Sequence, residues 1–377
     1  MFWGWISGPE RKDLANQHTT LYADTHRKEQ QAEERLLFGE RAFYEQGAKT
    51  QEIICAAIDI GSNSTELAIA RCQPDQLEML KDESTMLRLG ESVKSSGEIT
   101  DDKQQALITI LNKYQQMAKQ QKAASILVIA TEAMREARNR QAVLDEVEHV
   151  TGLHITILPS TVEAALTYYG ATCASDVPAD AGVIDVGGGS TEVITAHEKH
   201  ITWLTSVPIG SSWLHDQYLP TDPPMEDEIV QAREFLRQYS ESLHVPRPPL
   251  VSMVTGSSAK ALLKLAKQAL KLNTQSDRLT ARDLAACLGI LQNLPAEEIA
   301  QRYKLELERA RILPGGALIL LAMLTYLRLD EVRVSLFGVR QGVLLAYTRY
   351  GEHWLEHPEV SVDDARKGKV HPPTQTR

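Results

Sequence analysis

Cysteine is scarce in this chain of 377 residues, and its spacing excludes two kinds of site. Four cysteines occur, widely separated and without a Cys-x-x-Cys pair: Cys55, Cys72, Cys173 and Cys287. Structural zinc sites use closely spaced ligands, and disulfide frameworks need dense cysteines. The sequence therefore predicts neither of them, and four free thiols favour a reducing, cytoplasmic location.

A surplus of positive charge and a long apolar run are also missing. The chain has 40 Lys and Arg against 50 Asp and Glu, a net charge of −10. Proteins dedicated to nucleic acids normally carry a broad basic surface, so no DNA partner is expected. The apolar start, residues 1–6, reaches charged residues too soon for a signal peptide, and residues 312–327 are interrupted by Pro314, Gly315 and Gly316. No membrane partner is expected either.

The remaining composition is that of a folded protein, with 43% hydrophobic and 24% charged residues, and the length suits two or three domains. Residues 30–44 have the spacing of an amphipathic helix. The sequence divides into four parts: a charged N-terminal extension, 1–50; α/β domain I with a Gly/Ser hairpin turn, 51–178; α/β domain II with a Gly-rich turn and a helical insertion, 179–350, whose last helix could return to domain I; and a polar C-terminal tail, 351–377.

Strand and helix signals alternate along most of the chain, a pattern that favours an α/β sheet. Strands are expected at 53–60, 125–130, 153–158 and 332–337, where apolar runs meet turn residues. Thr100 precedes two aspartates and is expected to cap a helix through its hydroxyl. Further helices are expected from about Glu132 and Ser160.

An internal repeat is the most informative feature of the sequence. Residues 59–66, DIGSNSTE, and 185–192, DVGGGSTE, superpose residue by residue, and each segment follows one apolar strand and precedes another. Repetition of a supersecondary unit indicates a duplicated architecture. We therefore predict two similar α/β halves whose hairpin turns face each other across a cleft, and an active site in that cleft.

The residue types of the two turns suit a phosphate and a hard cation. Glycines let backbone N–H groups approach an anion, hydroxyls add donors, and carboxylates hold Mg²⁺. The candidate phosphate contacts are Ser62, Asn63, Ser64, Gly187, Gly188, Gly189, Ser190 and Thr191, and the candidate metal contacts are Asp59, Glu66, Asp185 and Glu192. A plain hairpin turn would use similar residues. A dinucleotide fold and a P-loop are excluded, because the required glycine and lysine spacing is absent.

Four motifs occur in the order typical of one family: residues 57–64, residues 130–135 with Asn139, residues 183–192 and residues 313–316. The chain resembles the exopolyphosphatase and guanosine pentaphosphate phosphatase (Ppx/GppA) family, in its short two-domain form, over about residues 52–348. This resemblance implies an α/β fold, the duplicated actin-like/Hsp70/sugar-kinase superfold, with two domains and an interdomain cleft.

The resemblance also implies roles for single residues. Glu163 matches the family's catalytic base, which activates the attacking water, and Arg135 matches its phosphate-binding arginine. Family members usually carry two adjacent acids followed by Ala and Arg, whereas Val162 and Ala165 stand here in place of the first acid and the Arg. Thr65 and Glu66 replace a usual aromatic or basic pair, so Glu66 adds a carboxylate that either binds metal or repels excess anion.

A third turn resembles the superfold's phosphate or nucleotide side. Gly256, Ser257 and Ser258 follow an apolar strand and open a helix, and Lys260 could add a charge. A plain helix cap explains the two serines equally well. Gly338 to Gly342 resembles a family motif with Gln341 where Glu is usual.

These observations lead to an expected function with alternatives. The expected function is Mg²⁺-dependent release of terminal orthophosphate from inorganic polyphosphate by water, with Mn²⁺ as a substitute ion and no organic cofactor. Guanosine pentaphosphate is the alternative substrate, and a homodimer is compatible with the resemblance. Two other functions stay open: an ATP-dependent kinase of the same superfold, and a non-catalytic sensor of guanosine tetraphosphate or polyphosphate.

Overall fold

The computed structural model describes residues 52–73, 76–173 and 177–356. The predicted extension 1–50, its helix at 30–44 and the tail from residue 357 lie outside these ranges. The described strands are β1 Ile53–Ile60, β2 Ser64–Gln73, β3 Gln76–Met86, β4 Ser125–Ala130, β5 Ile155–Ile157, β6 Ala181–Val186, β7 Thr191–His197, β8 His200–Val207, β9 Val251–Thr255, β10 Arg278–Thr280 and β11 Glu331–Val334.

The described helices are α1 Leu89–Ser96, α2 Asp101–Gln120, α3 Glu132–Glu136, α4 Arg140–Thr151, α5 Ser160–Cys173, α6 Ser211–Tyr218, α7 Glu226–Ser242, α8 Ser257–Ala269, α9 Ala281–Asn293, α10 Ala296–Tyr303, α11 Leu307–Leu327 and α12 Val339–Tyr350. A short 3₁₀ helix, Gly351–His353, follows α12. Strands and helices alternate in the first half, whereas helices dominate the second half after β8.

Two sheets with matching strand orders confirm the predicted duplication. The first sheet has the order β3-β2-β1-β4-β5, and the second has β10-β11-β9-β6-β7-β8. Strands β8, β7, β6, β9 and β11 of the second sheet correspond to β3, β2, β1, β4 and β5 of the first. In both sheets the first three strands pair antiparallel and the last three pair parallel, and β10 is an added edge strand. The register also repeats, because Asp59 lies opposite Glu66 and Asp185 opposite Glu192.

Helices α5 and α12 pack against each other and connect the two sheets. Helix α12 lies on β1 and β2, while α5 also contacts β6, β7 and β8. Gly170 and Gly342 allow this close crossing, since a Cβ on either would collide with the backbone of the other helix's segment. Residues 339–350, the last helix that the sequence analysis allowed to return to domain I, therefore pack on the first sheet.

The two sheets keep separate apolar cores. The first core lies between the first sheet and helices α2 and α4, and strand β1 is buried along most of its length. The second and larger core surrounds α11, which packs against α6, α7, α9 and α10. Burial of a central strand on both faces explains its continuous apolar sequence.

Several boundaries differ from the sequence expectation. The strands expected at 153–158 and 332–337 are shorter, and the helix from Glu132 ends at Glu136 before α4 begins at Arg140. Thr100 precedes α2, but its hydroxyl makes no capping hydrogen bond to the helix.

Helix α11 is continuous through Pro314, Gly315 and Gly316, the residues that interrupt the apolar run of the sequence. The proline lies inside the helix, and most of the helix is buried in the second core. By length and composition α11 is the one helix in the described ranges that could cross a membrane, but its burial is that of a core helix. Tertiary packing therefore offsets the hydrogen bond that proline removes.

Candidate active site

The two repeated turns touch across the cleft. A Cβ on Gly188 would collide with the side chain of Asn63, so the second turn is pressed against the first. Ser212 Oγ donates a 2.8 Å hydrogen bond to Asn63 Oδ1 from the second half. The Nδ2 of Asn63 is buried without a partner, which leaves a donor directed at the space between the turns.

The N-terminal residues of helix α6 hydrogen-bond to the backbone of the second turn. The N–H groups of Ser211 and Ser212 donate to the carbonyls of Gly187 and Gly188 at 2.9 and 3.0 Å. Gly210, which precedes the helix, cannot carry a side chain because its Cβ would collide with the backbone of Gly188. The first residues of α6 thus fix the shape of the phosphate turn, and the sequence analysis missed this support.

The cleft is a polar cavity of about 110 Å³. Most predicted site residues line it: Asp59, Ser62, Asn63, Ser64, Glu66, Glu163, Asp185, Gly187, Gly188, Gly189, Ser190, Glu192, Gly256 and Ser257. Three predicted residues are outside the lining, namely Arg135, Thr191 and Ser258. Thr191 donates its hydroxyl to the carbonyl of Ile209, which makes it a structural residue of the turn.

The predicted base and the predicted phosphate-binding arginine form an ion pair. Arg135 Nη1 lies 2.7 Å from Glu163 Oε2 and also donates to the carbonyl of Leu158 at 2.7 Å. Arg135 therefore lies beside the carboxylate and outside the cleft lining, and its predicted contact with phosphate stays a prediction. Glu163 occupies the first turn of α5 and faces the cleft with 12% of its side chain exposed.

Buried carboxylates crowd the rest of the cleft. Burial raises the pKa of Asp59 and of Asp185 to about 7, and neighbouring carboxylates add to both shifts. Burial, together with the charge of Glu163, raises the pKa of Glu192 to about 8. For Glu163, burial raises the pKa to about 7 against the lowering effect of Arg135. Such a cluster of acids stores repulsion that a cation would relieve.

The chemistry of these acids fits a divalent cation that completes its shell with other oxygens. Asp59 Oδ1 is buried without a partner, and Glu192 Oε1 accepts from Ser190 and Ser206, both at 2.7 Å. Across the described ranges, no three His, Cys, Asp or Glu side chains converge into a cage. Mg²⁺ characteristically keeps waters and phosphate oxygens beside one or two carboxylates, so direct contact with one or two of Asp59, Asp185 and Glu192 suits it.

Glu66, the fourth predicted metal contact, has a different environment. Arg340 Nη2 lies 2.9 Å from Glu66 Oε2, and Ser257 Oγ donates to Oε1 at 2.8 Å. Ser64 Oγ donates to the same oxygen at 3.1 Å. Because an arginine and hydroxyls already satisfy this carboxylate, we reassign Glu66 from the metal to the basic side of the cleft.

The third turn needs its glycine. Gly256 has φ +92°, a left-handed conformation that favours glycine, and its Cβ would lie 2.6 Å from the carbonyl oxygen of Val186. Ser257 reaches Glu66 in the other half, whereas the Ser258 hydroxyl is buried without a partner. Only Ser257 among the two serines therefore contacts the cleft.

Three basic side chains line the cleft beside this turn: Lys260, Arg309 and Arg340. The sequence analysis noted Lys260 only as an added charge and did not select the other two. Arg340 lies in the motif at residues 338–342, which was a usable signal. Arg309 lies in the first turn of α11, and a charged residue at the start of such an apolar helix was the available signal.

Glu132 is another cleft residue that the sequence analysis did not select. Its Oε2 accepts from Ser62 Oγ at 3.0 Å, and a Cβ on Gly189 would collide with it. Burial raises the pKa of Glu132. This carboxylate consequently bridges the rims of the two turns.

Comparisons with known proteins agree with this geometry. A profile of the Ppx/GppA phosphatase family matches residues 68–350. The exopolyphosphatase 1 of Mycobacterium tuberculosis is 26% identical over 304 residues, which cover 76% of this chain and 86% of that protein. A guanosine-5'-triphosphate,3'-diphosphate pyrophosphatase of Photobacterium profundum is 24% identical over 297 residues, covering 77% of this chain and 58% of that protein.

A solved structure supports the fold. The crystal structure of the Aquifex aeolicus member of the Ppx/GppA family superposes with a TM-score of 0.68 and 27% identity, covering 80% of this chain and all of that one. The matching two-sheet architecture confirms the predicted duplicated α/β fold, which this family member shares.

Proposed function

Because the chain belongs to the Ppx/GppA phosphatase family, we propose that it is a Mg²⁺-dependent exopolyphosphatase that releases terminal orthophosphate from inorganic polyphosphate. The observation that carries this proposal is the position of Glu163. Its carboxylate faces the cleft opposite the glycine turn and is held by Arg135 at 2.7 Å. A fixed carboxylate beside a phosphate cradle is what a water-activating base requires.

The two turns hold the terminal phosphate. The unpartnered Nδ2 of Asn63 and the glycine turn at 187–189 line the same cavity from opposite halves. Phosphoryl transfer depends on positioning and charge neutralisation rather than on a covalent nucleophile. Residues Asp59, Asp185 and Glu192 would hold Mg²⁺, which when bound offsets negative charge on the phosphate oxygens.

Glu163 accepts the proton of the attacking water. The water oxygen bonds to the terminal phosphorus, the bond from that phosphorus to the bridging oxygen breaks, and the shortened chain leaves with its negative charge. The proton on Glu163 then passes to solvent. A pKa of about 7 lets the carboxylate be ionised before the reaction and protonated after it.

Guanosine pentaphosphate is the second candidate substrate. The relative from Photobacterium profundum that bears a guanosine pyrophosphatase name supports it, although the chain spans only 58% of that protein. Both substrates end in a phosphoanhydride, so the same base and turns would serve either one.

The test is an assay of the full chain on four compounds, read as orthophosphate release from polyphosphate, tripolyphosphate and guanosine pentaphosphate and as ADP formation from ATP with glucose. Long polyphosphate, tripolyphosphate, guanosine pentaphosphate and ATP with glucose are compared with Mg²⁺ and with EDTA. We expect release from polyphosphate that needs Mg²⁺ and no acceptor. Release from guanosine pentaphosphate alone would identify that compound as the substrate. ATP consumption that depends on glucose would identify the protein as a kinase and contradict the proposal. Binding of polyphosphate without release would favour the sensor.

A further inference from the structure

The basic side of the cleft is built from buried cations. Arg309 is only 8% exposed, and the contact recorded for its guanidinium is with Met86 Sδ at 3.7 Å. Lys260 has no hydrogen bond or ion pair through its ammonium within the described part of the chain. Burying the Arg309 guanidinium with no carboxylate of the described residues in hydrogen-bond contact is unfavourable, so a cluster that contains it is typical of a place that receives negative charge.

One carboxylate of the protein already supplies negative charge there. Glu66 projects from β2, and its two oxygens accept from Arg340 and from Ser257 at 2.9 and 2.8 Å. Two further hydroxyls, of Ser64 and Ser84, donate to Oε1 at 3.1 and 3.5 Å. A carboxylate that accepts from an arginine and several hydroxyls has the contacts of a bound phosphate oxygen.

Charge explains why Glu66 stays ionised in this position. Burial alone would raise its pKa, but the charges of Arg340 and Lys260, the Ser257 hydroxyl and the charge of Arg309 lower the pKa to about 2. All three basic groups of the cluster therefore act on this one carboxylate. The Glu66 charge is present throughout the physiological range.

We propose that Glu66 is a specificity-determining residue: it occupies, as an internal anion, the place of a substrate phosphate against Arg340, Lys260 and Arg309. This inference rests on the proposed function, because it concerns how many phosphates of a polyanion the same cleft holds. The terminal phosphate binds between the two turns, and the neighbouring phosphate meets a basic cluster that Glu66 has partly neutralised. The cleft consequently gains little affinity from chain length.

Geometry distinguishes this role from a purely structural one. Glu66 lines the cavity with 17% of its side chain exposed, so a ligand in the cleft would meet its charge directly. Arg340 keeps two other acceptors, Asp82 Oδ1 and the carbonyl of Leu67, both at 2.7 Å. Removing the Glu66 charge therefore leaves Arg340 anchored and makes its second nitrogen available to an anion.

The test is tripolyphosphate and orthophosphate binding to the full chain, measured by calorimetry in a Glu163→Gln background so that substrate is not consumed. We expect Glu66→Gln to tighten tripolyphosphate binding about tenfold, because it uncovers one positive charge in a desolvated cleft, and to change orthophosphate binding less than threefold. The dependence of the log affinity on log salt should steepen by roughly one phosphate contact.

Glu78→Gln is the matched control, because it removes the same charge from β3 at a side chain that is 63% exposed and paired with Arg71. It should leave both affinities unchanged. Adding Arg309→Met to Glu66→Gln should cancel the gain, since the uncovered cluster loses a cation. Thermal unfolding reports whether each variant folds. Glu66→Ser is the second variant if Glu66→Gln does not fold, because it removes the same charge with a smaller side chain, and it should tighten tripolyphosphate binding in the same direction.

Unchanged or weaker tripolyphosphate binding in folded Glu66→Gln, or in Glu66→Ser where the first variant does not fold, would overturn the proposal. It would leave Glu66 as a structural clasp for Arg340 and Ser257. The outcome is separate from that of the proposed function, because binding is measured without turnover. A protein that released no phosphate could still show the gain, and an active phosphatase could fail to show it.

Discussion

Arg135 Nη1 lies 2.7 Å from Glu163 Oε2, and this ion pair ties helix α3 to the first turn of α5. The same nitrogen also donates to the carbonyl of Leu158, so two acceptors fix the position of the guanidinium. The pair gives Arg135 a positioning role: it orients the carboxylate toward the cleft and favours its ionised form. Each consequence can be measured.

Arg135→Ala should change the pH profile rather than substrate affinity alone. Burial raises the pKa of Glu163 to about 7 even though Arg135 lowers it, so loss of the arginine should raise that pKa further. We expect the acid limb of kcat to move up by about one pH unit, with activity partly recovered at high pH. Arg138→Ala, at a side chain that is 70% exposed, is the control. An increase in KM without a shift in the acid limb of kcat would show that Arg135 binds phosphate instead.

The crowded carboxylates predict an unusual dependence of stability on pH in the absence of metal. The pKa values of Asp59, Glu163 and Asp185 are raised to about 7 and that of Glu192 to about 8, so the folded chain binds more protons than the unfolded chain between about pH 5 and 8. The free energy of unfolding should therefore fall as pH rises through this window.

The lowered pKa of Glu66 does not oppose this trend, because its contribution is lost only as pH falls toward about 2, outside the window. Urea unfolding in EDTA at pH 5, 6, 7 and 8 measures the effect. A free energy of unfolding that increases from pH 5 to 8 would show that these carboxyls are not crowded in the folded protein.

Metal dependence tests the reassigned ligand set. EDTA should abolish phosphate release, and Mg²⁺ should restore it. Asp185→Asn should raise the Mg²⁺ concentration for half-maximal activity by about tenfold or more, because a carboxylate contact is lost. Asp145→Asn, on the exposed side of α4, is the control, and Glu66→Gln should also leave the Mg²⁺ midpoint in place. A shifted midpoint in Glu66→Gln would restore Glu66 to the metal.

Contact between the two turns makes Gly188 sensitive to small changes. A single methyl group at Gly188 would collide with Asn63, which Ser212 holds in place. Gly188→Ala should therefore weaken substrate binding about tenfold or more while the chain remains folded. Gly289→Ala is a suitable control, because nothing lies within 4 Å of its Cβ position. Equal kinetics for the two variants would mean that the turns do not close on the phosphate.

Sequence reasoning found what is local and repeated. The strands beside Asp59 and Asp185, the two turns and the helix that carries Glu163 all follow from short-range patterns or from one motif. The repeat also led to the prediction of facing halves, and the contact between Gly188 and Asn63 confirms it. These features depend on a few adjacent residues, and they could therefore be predicted from the sequence.

Side-chain partners from distant parts of the chain were not predictable. The acidic partners of Arg340 come from β2 and β3, and the support of the phosphate turn comes from α6. Arg135 was assigned to phosphate by its motif, but α3 ends at Glu136 and the side chain is directed to Glu163. The orientation of one guanidinium depends on tertiary packing, which a motif does not specify.

The central claim is that Glu163 activates the water that cleaves the terminal phosphate. Its direct test is the rate of phosphate release from long polyphosphate by wild type and Glu163→Gln, at saturating Mg²⁺ and pH 8. Polyphosphate affinity is measured in parallel, and Glu148→Gln, on the exposed side of α4, is the control. The account predicts a turnover lowered by about two to four orders of magnitude at nearly unchanged affinity. Release by Glu163→Gln within a few-fold of wild type would contradict it.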